Sequence, residues 1–486
     1  MLFPDDRLLF IDERHVADQS GMARVLNLPP KAGPCLWIDK PWERTGARPN
    51  SIVKWENRYR LYYELRMEDG SHAMAMAVST DGVAWNKPDL DVVEFGGSRK
   101  NNIVDIGGRP GESCVFVDPT GPDEHRFKMI RHNLDDGGIF LATSPDGLRF
   151  THHAHLLLNF FCDNHVSAFY DPRIEKYVIL LRGWDKSRRP GGTGARMVVR
   201  AETDDLFKPV PYDQNAPDPW NVWRDSKSAD GRDYGLRPIH HELPCALRCD
   251  EEDPEAACFY QAAAVQYTPT VYLAFPSVYY CYPFPPEGEF VNDGILDVQF
   301  ASSADGAVWS RDFRGPYVRL DPPGGWTTKS VYVIVGMVPF KDRLSQYYVG
   351  GRYTHGEGRK TVDTKVVRPV REGAPFCHRL DQRLDGFVSL DSAYGGGEMT
   401  TVPFELKSPE IRLNIDTSAS GFAHAALLAK DGRPLAGYGF DDCERIQGNN
   451  TQWPVRWQGG DLVSLRGRRI QFALRSRATK LYAVKA

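Results

Sequence analysis

Four acidic residues in this sequence stand where a carboxyl group could do acid/base chemistry: Glu112, Asp163, Asp39 and Glu43. Glu112 opens the stretch Glu112-Ser-Cys-Val-Phe-Val-Asp118, directly after Gly111, whose missing Cβ lets a ligand approach closely. Alternate residues of a strand share a face, so Glu112 lies with Cys114 and Phe116. An isolated carboxyl among such neighbours has a raised pKa and suits a general acid; the competing reading is a solvated acid at the start of a strand. Asp163 belongs to Cys162-Asp163-Asn164-His165, just ahead of the apolar run to Tyr170. Three polar side chains in a row before a buried strand are costly unless they meet a ligand or one another. Asp163 is expected to hold a ligand's hydroxyls or to tune the acid, with His165 hydrogen-bonded beside it; a satisfied structural Asp-His pair is the alternative.

Asp39 and Glu43 precede the strand Ser51 to Trp55, and Trp37 and Trp42 offer flat apolar faces beside them. Asp39 is favoured as nucleophile or general base, and Glu43 could serve equally well; a turn acid with merely packed aromatics is the bland reading. Arg66, Arg131 and Arg182 each close a strand. At one mouth they would form a basic rim able to fork-bind a carboxylate or sulfate, unless they pair with aspartates of neighbouring units. Tyr260, Gln261 and His355 are further pocket-lining candidates. Cys245, Cys249 and Cys258 near His240 and His241 invite a zinc reading, but the spacing lacks a paired knuckle, and buried free thiols are expected. His152, His153 and His155 are expected on a surface loop.

Such groups act together only if the chain brings them to one cavity, and the elements that do so are visible as repeats. Ser79-Thr-Asp81-Gly82-Val-Ala-Trp85 recurs as Ser144-Pro-Asp146-Gly147-Leu-Arg-Phe150 and as Ser303-Ala-Asp305-Gly306-Ala-Val-Trp309, with a weaker copy at Thr203-Asp-Asp205-Leu-Phe207. In such turns Ser and Asp side chains bond nearby N–H groups, Gly takes a positive φ and the aromatic packs back, so these aspartates are structural. A second repeat matches Val117-Asp118-Pro119 and the strand to Arg131 with Tyr170-Asp171-Pro172 and the strand to Arg182. Four-stranded units of this kind stack around an axis, and the spacing fits five of them. The expected fold is all-β: a five-bladed β-propeller over residues 1–372, with an N-terminal extension and an insertion near 213–253, followed by a β-sandwich over 373–486. Only the innermost strand of each blade lines the axis, so acids at the ends of those strands can face one cavity.

Composition narrows the function classes. Among 486 residues, 60 basic side chains stand against 64 acidic ones, a net charge of −4, so nothing favours nucleic acid or a polybasic membrane contact. No apolar run approaches the ~20 residues of a spanning helix. The acidic start MLFPDDRLLFIDERH is unlike a secretory signal, so a cytoplasmic location is expected unless a leader has been removed. Nine cysteines, an odd number, speak against a dense disulfide framework.

Asp39-Lys-Pro-Trp-Glu43, Gly96-Gly-Ser-Arg-Lys-Asn-Asn102, Asp297-Val-Gln299 ahead of Ser303, and Leu384-Asp-Gly-Phe-Val-Ser389 together resemble bacterial proteins grouped with the family 32 and family 43 glycoside hydrolases. The resemblance spans nearly the whole chain. It implies a five-bladed propeller whose axial pocket cleaves glycosidic bonds, often of furanosides, with three carboxylates from neighbouring blades; Asp39, Glu112 and Asp163 are the candidates read above from their places at strand ends. A carbohydrate substrate is expected, with no cofactor required and structural calcium left open. The Trp-x-Asn-Asp-Pro-Asn, Arg-Asp-Pro and Glu-Cys motifs of family 32 are not intact; Trp37-Ile-Asp39-Lys-Pro41 is the local analogue of the first. Two other readings stand beside an exo-acting hydrolase: a non-catalytic carbohydrate-binding propeller, and a phosphorylase holding inorganic phosphate on the arginine rim.

Overall fold

The computed structural model describes residues 1–5, 7–132, 138–158, 162, 164–185, 195–210, 243–282, 292–357 and 370–486. Among the described residues strands dominate, and helix is confined to short 3-10 turns such as Pro41–Glu43. Among the described residues no helix is long and apolar enough to cross a membrane. The chain divides into two compact units: Met1–Leu2 with Pro30–Phe340 and Ser345–Asp381, and Phe3–Pro29 with Lys341–Leu344 and Gln382–Ala486.

Among the described residues the first unit shows five antiparallel sheets in chain order. Their first strands are Ala47–Trp55, Glu112–Val117, Ser167–Asp171, Ala257–Thr268 and Ser330–Val333. Consecutive first strands are joined by hydrogen bonds. Asn50 Nδ2 donates to Ser113 Oγ (2.9 Å), Cys114 Sγ to the Ala168 carbonyl (3.7 Å) and Ala264 N–H to Ser167 Oγ (3.3 Å). Gln261 Nε2 donates to the Val333 carbonyl (3.1 Å), and Ile52 N–H to the Val335 carbonyl (2.8 Å), returning to the first sheet. The loop of contacts is closed. A cavity of about 390 Å³ lies inside it, lined among others by Ile52, Val115, Ala168, Val265 and Val335, one or more residues from each sheet.

The repeats explain the packing between sheets. In the second strand Arg58–Arg66, Leu61, Tyr63 and Leu65 pack with Tyr347 and Phe376 of the fifth sheet, while Tyr62 packs with Phe127 and Met129 of the second. Apolar side chains on both faces are buried, so Leu61, Tyr62 and Tyr63 stand in succession rather than in strict alternation. Each Ser-x-Asp-Gly turn ends a third strand: Ser79 Oγ takes the N–H of Gly82 (2.8 Å), and Asp81 takes those of Val83 and Ala84 (2.8 and 3.0 Å). The Gly82 carbonyl then accepts the Tyr347 hydroxyl at 2.5 Å, tying the first sheet to the fifth. The Asp-Pro repeat works the other way. Asp118 accepts the Tyr177 hydroxyl of the next sheet (2.6 Å), and Asp171 accepts that of Tyr272 (2.5 Å).

The domain limits expected from sequence differ from the observed units. Lys31–Trp37 pairs with Pro375–Arg383, which completes the fifth sheet with the chain's early segment and carries that sheet past residue 372. Upstream of it, Val16–Ser20 pairs with Gly397–Thr401 and Met22–Leu26 with Val388–Ser392, so residues 3–29 belong to the second unit. These two short strands lie in different sheets. Gly21, at φ +67°, makes the crossing, and a Cβ there would meet the Gly396 carbonyl at 2.6 Å. The second unit has two sheets sharing one core, to which Leu390, Leu413 and Leu481 contribute from one and Met399, Phe472 and Leu474 from the other. Of the expected insertion, 213–242 lies outside the described residues; Asp253 accepts a salt bridge from Arg311 at 2.6 Å.

Candidate active site

The leading ends of the first strands gather a cluster of titratable side chains. Glu112 starts its strand and accepts a salt bridge from Arg48 Nη1 at 2.8 Å. His165, two residues ahead of its strand, places Nδ1 3.9 Å from the other Glu112 oxygen and Nε2 2.9 Å from the Asn50 carbonyl. A carbonyl only accepts, so Nε2 carries the proton and Nδ1 turns a lone pair toward Glu112. His132 is the residue directly across the ladder from Glu112. Arg182 donates from Nε and Nη2 to the Tyr260 carbonyl (3.2 and 3.1 Å) and stands 4.3 Å from the Tyr260 ring. Tyr332, half-buried, packs on Tyr260 with centroids 5.6 Å apart.

Two β-bulges aim this cluster. The ladder of Ala47–Trp55 skips Asn50, and that of Ala257–Thr268 skips Tyr260, so each becomes an extra residue bent out of its ladder. Asn50 then holds both Ser113 and His165.

The electrostatics correct one expectation. Burial alone would raise the Glu112 pKa, but Arg48, with His165, Arg182 and His132, outweighs it and holds the carboxyl below its usual range. Glu112 is therefore the ionised member of the site rather than a protonated acid. The apolar neighbours foreseen from alternation are present, yet the decisive neighbour is a cation. Burial pushes His165 and His132 down to about 4 against the pull of Glu112, so both are neutral near pH 7.

Other sequence candidates are placed elsewhere. Glu43 is fully buried: it accepts the Tyr63 hydroxyl (2.8 Å), the N–H groups of Asp39 and Lys40 (3.0 and 3.1 Å) and Lys87 (2.7 Å). It has no face left for a substrate. Asp39 is exposed and paired with the same Lys87 at 2.6 Å. Together they form a lysine-centred knot between the fifth and first sheets, and among the described residues no contact joins it to Glu112. Trp42 is held there by Asn102 (2.8 Å) and edge-on Phe95, whereas Trp37 is 43% exposed. The expected rim of Arg66, Arg131 and Arg182 does not form. Arg66 is exposed, and Arg131 turns to the Arg109 carbonyl and His152 (2.6 and 2.7 Å), one register step from His132. Gln261 is buried between the fourth and fifth sheets. His355 meets Tyr260, its Nε2 3.0 Å from the hydroxyl. Asp163 lies outside the described residues, as do His240 and His241. The histidine tract is half-buried rather than on a surface loop, with His153 on the Thr143 hydroxyl at 2.8 Å. Cys245 is exposed and the other eight cysteines are buried, all as free thiols. Among the described residues no group of three or more His, Cys, Asp or Glu is arranged to hold a metal.

No protein-family model matches the sequence, and no curated protein matches it. Solved structures do. An N-acetylgalactosamine deacetylase from F. plautii, in complex with blood group B trisaccharide, is similar at 11% identity over 76% of this chain and 97% of that one, with a TM-score of 0.44. A thermostable family-43 glycoside hydrolase is similar at 13% identity over 71% and 93%, TM-score 0.38. A glycosyl hydrolase from Bacteroides ovatus is similar at 14% identity over 73% and 94%, TM-score 0.42.

Arg48, His132, Arg196 and Tyr332 were not foreseen. Arg48 is hidden in the sequence because regular alternation begins only at Ser51; the bulge at Asn50 breaks the period and the strand reaches back to Ala47. His132 follows Arg131 by one residue and was masked by it. Arg196, whose Cζ lies 5.5 Å from the Tyr260 ring, carries no motif that would single it out.

Proposed function

We propose that this chain is a carbohydrate-active enzyme, a glycoside hydrolase, in which the five sheets of the first unit are the blades of a propeller and the second unit is a β-sandwich. One observation carries the reading: an ionised carboxylate, Glu112, stands half-buried between Arg48 and neutral His165 where the leading ends of the first strands meet. Hydrolysis of a glycosidic bond needs such a carboxylate, either to attack the sugar or to activate water. Glu112 takes that role, Asp163 remains the candidate for a second carboxyl, and Tyr260, Tyr332 and exposed Trp37 supply aromatic faces for sugar rings. Asp39, paired with Lys87 away from Glu112, has no part in this reading. The substrate class is a furanoside or related sugar cleaved from a chain end. A panel of chromogenic furanosides and pyranosides tests this: wild type is expected to release chromophore from at least one, and Glu112→Gln to lose that activity at unchanged melting temperature. A panel with no turnover contradicts the reading.

A phosphorolytic variant has one observation in its favour. Arg182 and Arg196 share the Tyr260 ring and Arg48 lies within electrostatic reach of it, a cationic setting suited to an oxyanion. Phosphate-dependent release of a sugar 1-phosphate would select it.

A further inference from the structure

Tyr260 has neighbours that a simple stacking platform does not need. The bulge leaves it without a ladder partner, since Phe259 pairs with Val278 and Gln261 with Ser277. Its hydroxyl oxygen lies 3.0 Å from His355 Nε2, and His355 Nδ1 lies 3.0 Å from the Asn292 carbonyl oxygen. That carbonyl only accepts, so Nδ1 carries a proton and the ring orientation is fixed. Nε2 and the phenol oxygen each donate or accept, so the bond between them reverses as His355 gains or loses its second proton. Both side chains are half-buried. Arg182 and Arg196 stand 4.3 and 5.5 Å from the Tyr260 ring and hold it in place. Around His355 the other polar groups are engaged: Asp293 accepts from the Thr354 hydroxyl (3.0 Å) and Gly356 N–H (2.6 Å), and Glu357 from Thr354 N–H (3.1 Å). The Tyr279 ring, 5.1 Å away, closes that side.

We infer that Tyr260 is the proton donor to the leaving oxygen in the cleavage reaction, and that His355 is the positioning group that reloads it. The inference rests on the glycosidase reading and gives that site its second protogenic group. The bond from the anomeric carbon to the leaving oxygen breaks with its electron pair going to that oxygen, which takes the Tyr260 proton. The Tyr260 oxygen takes the Nε2 proton of protonated His355, leaving the ring neutral. Water forms the new bond to the anomeric carbon and gives a proton to Glu112, which returns it through solvent to His355. The sum is one water added across the bond.

Leaving-group dependence tests this. The probes are the 2,4-dinitrophenyl and methyl glycosides of whichever sugar the wild type cleaves. Dinitrophenolate departs without a proton, whereas methoxide needs one. Tyr260→Phe is expected to lower kcat/KM on the methyl glycoside by 100-fold or more and on the dinitrophenyl glycoside by less than ten-fold, in keeping with the 10²–10⁴ supplied by general acids. His355→Gln, which keeps a donor beside Tyr260 but carries no transferable proton, is expected to give the same selective loss, and it bears the test if Tyr260→Phe does not fold. An equal loss on both substrates, or none, overturns the inference. Wild type that cleaves neither glycoside of any sugar tried refutes the glycosidase reading itself, a separate outcome.

Discussion

Gly82 sits where the first sheet meets the fifth, and replacing it with alanine tests how that junction holds. A Cβ at Gly82 would lie 2.5 Å from the Tyr347 hydroxyl and 2.6 Å from Val338 Cγ1, in a residue at φ +74°. Three penalties add. A left-handed conformation costs an L-residue about 1–2 kcal/mol. Overpacking against buried Val338 and Tyr347 costs about 1–3 kcal/mol. Displacing the Tyr347 hydroxyl from the Gly82 carbonyl, 2.5 Å apart, removes a buried hydrogen bond worth about 1 kcal/mol. Gly82→Ala is therefore expected to destabilise the first unit by about 3–6 kcal/mol, a large share of the 5–15 kcal/mol typical of a folded protein. Scanning calorimetry should show a fall of about 4–8 °C. Tyr347→Phe removes the hydroxyl alone and should cost about 1–2 kcal/mol. In that background Gly82→Ala should cost about 1 kcal/mol less than in the parent, because one of the atoms it strikes is gone. A Gly82→Ala protein within 1 kcal/mol of the parent would refute the reasoning, and so would strict additivity of the two changes.

Asp118 and Lys128 form a buried pair at 2.7 Å, so Asp118→Ala leaves a buried ammonium unpaired and should cost about 3–5 kcal/mol in a denaturant titration; a loss under 1 kcal/mol contradicts the pairing. Burial raises the Asp297 carboxyl to about 6, only partly countered by Arg319, and one of its oxygens is buried without a partner. Since the folded value exceeds the unfolded one, the stabilisation is complete below pH 3.8 and lost as pH rises through 6, so Asp297→Asn should gain up to about 3 kcal/mol relative to the parent at pH 8 and little at pH 3.5. A pH-independent difference counts against it. His132 and His165 should show flat NMR chemical shifts from pH 5.5 to 8, whereas a midpoint near 6.5 would mean that burial does not control them.

The all-β character, the repeated sheets and the turn roles of Asp81, Asp146 and Asp305 were legible because turn chemistry is local. Ser, Asp and Gly bond within a few residues of themselves, and the strands they bound are long enough to show. The pairing of residues 3–29 with the second unit was not legible, because strands as short and polar as Val16–Ser20 leave no apolar signature. In the site, Glu112, His165, Arg182, Tyr260 and His355 were named from sequence and meet in space. Arg48 and Tyr332 were missed: the first lies beyond a bulge that breaks the alternation, and the second stands in a strand of four residues. The direction of the Glu112 shift was also beyond reach, since the cation that decides it comes from another sheet and no spacing along the chain brings Arg48 beside it.

Turnover without the Glu112 carboxylate decides the account. Measured on the best glycoside of the panel, kcat for Glu112→Gln is predicted to fall by about 10³-fold or more while the calorimetric transition stays in place. Turnover within a few-fold of wild type would show that some other group performs the chemistry.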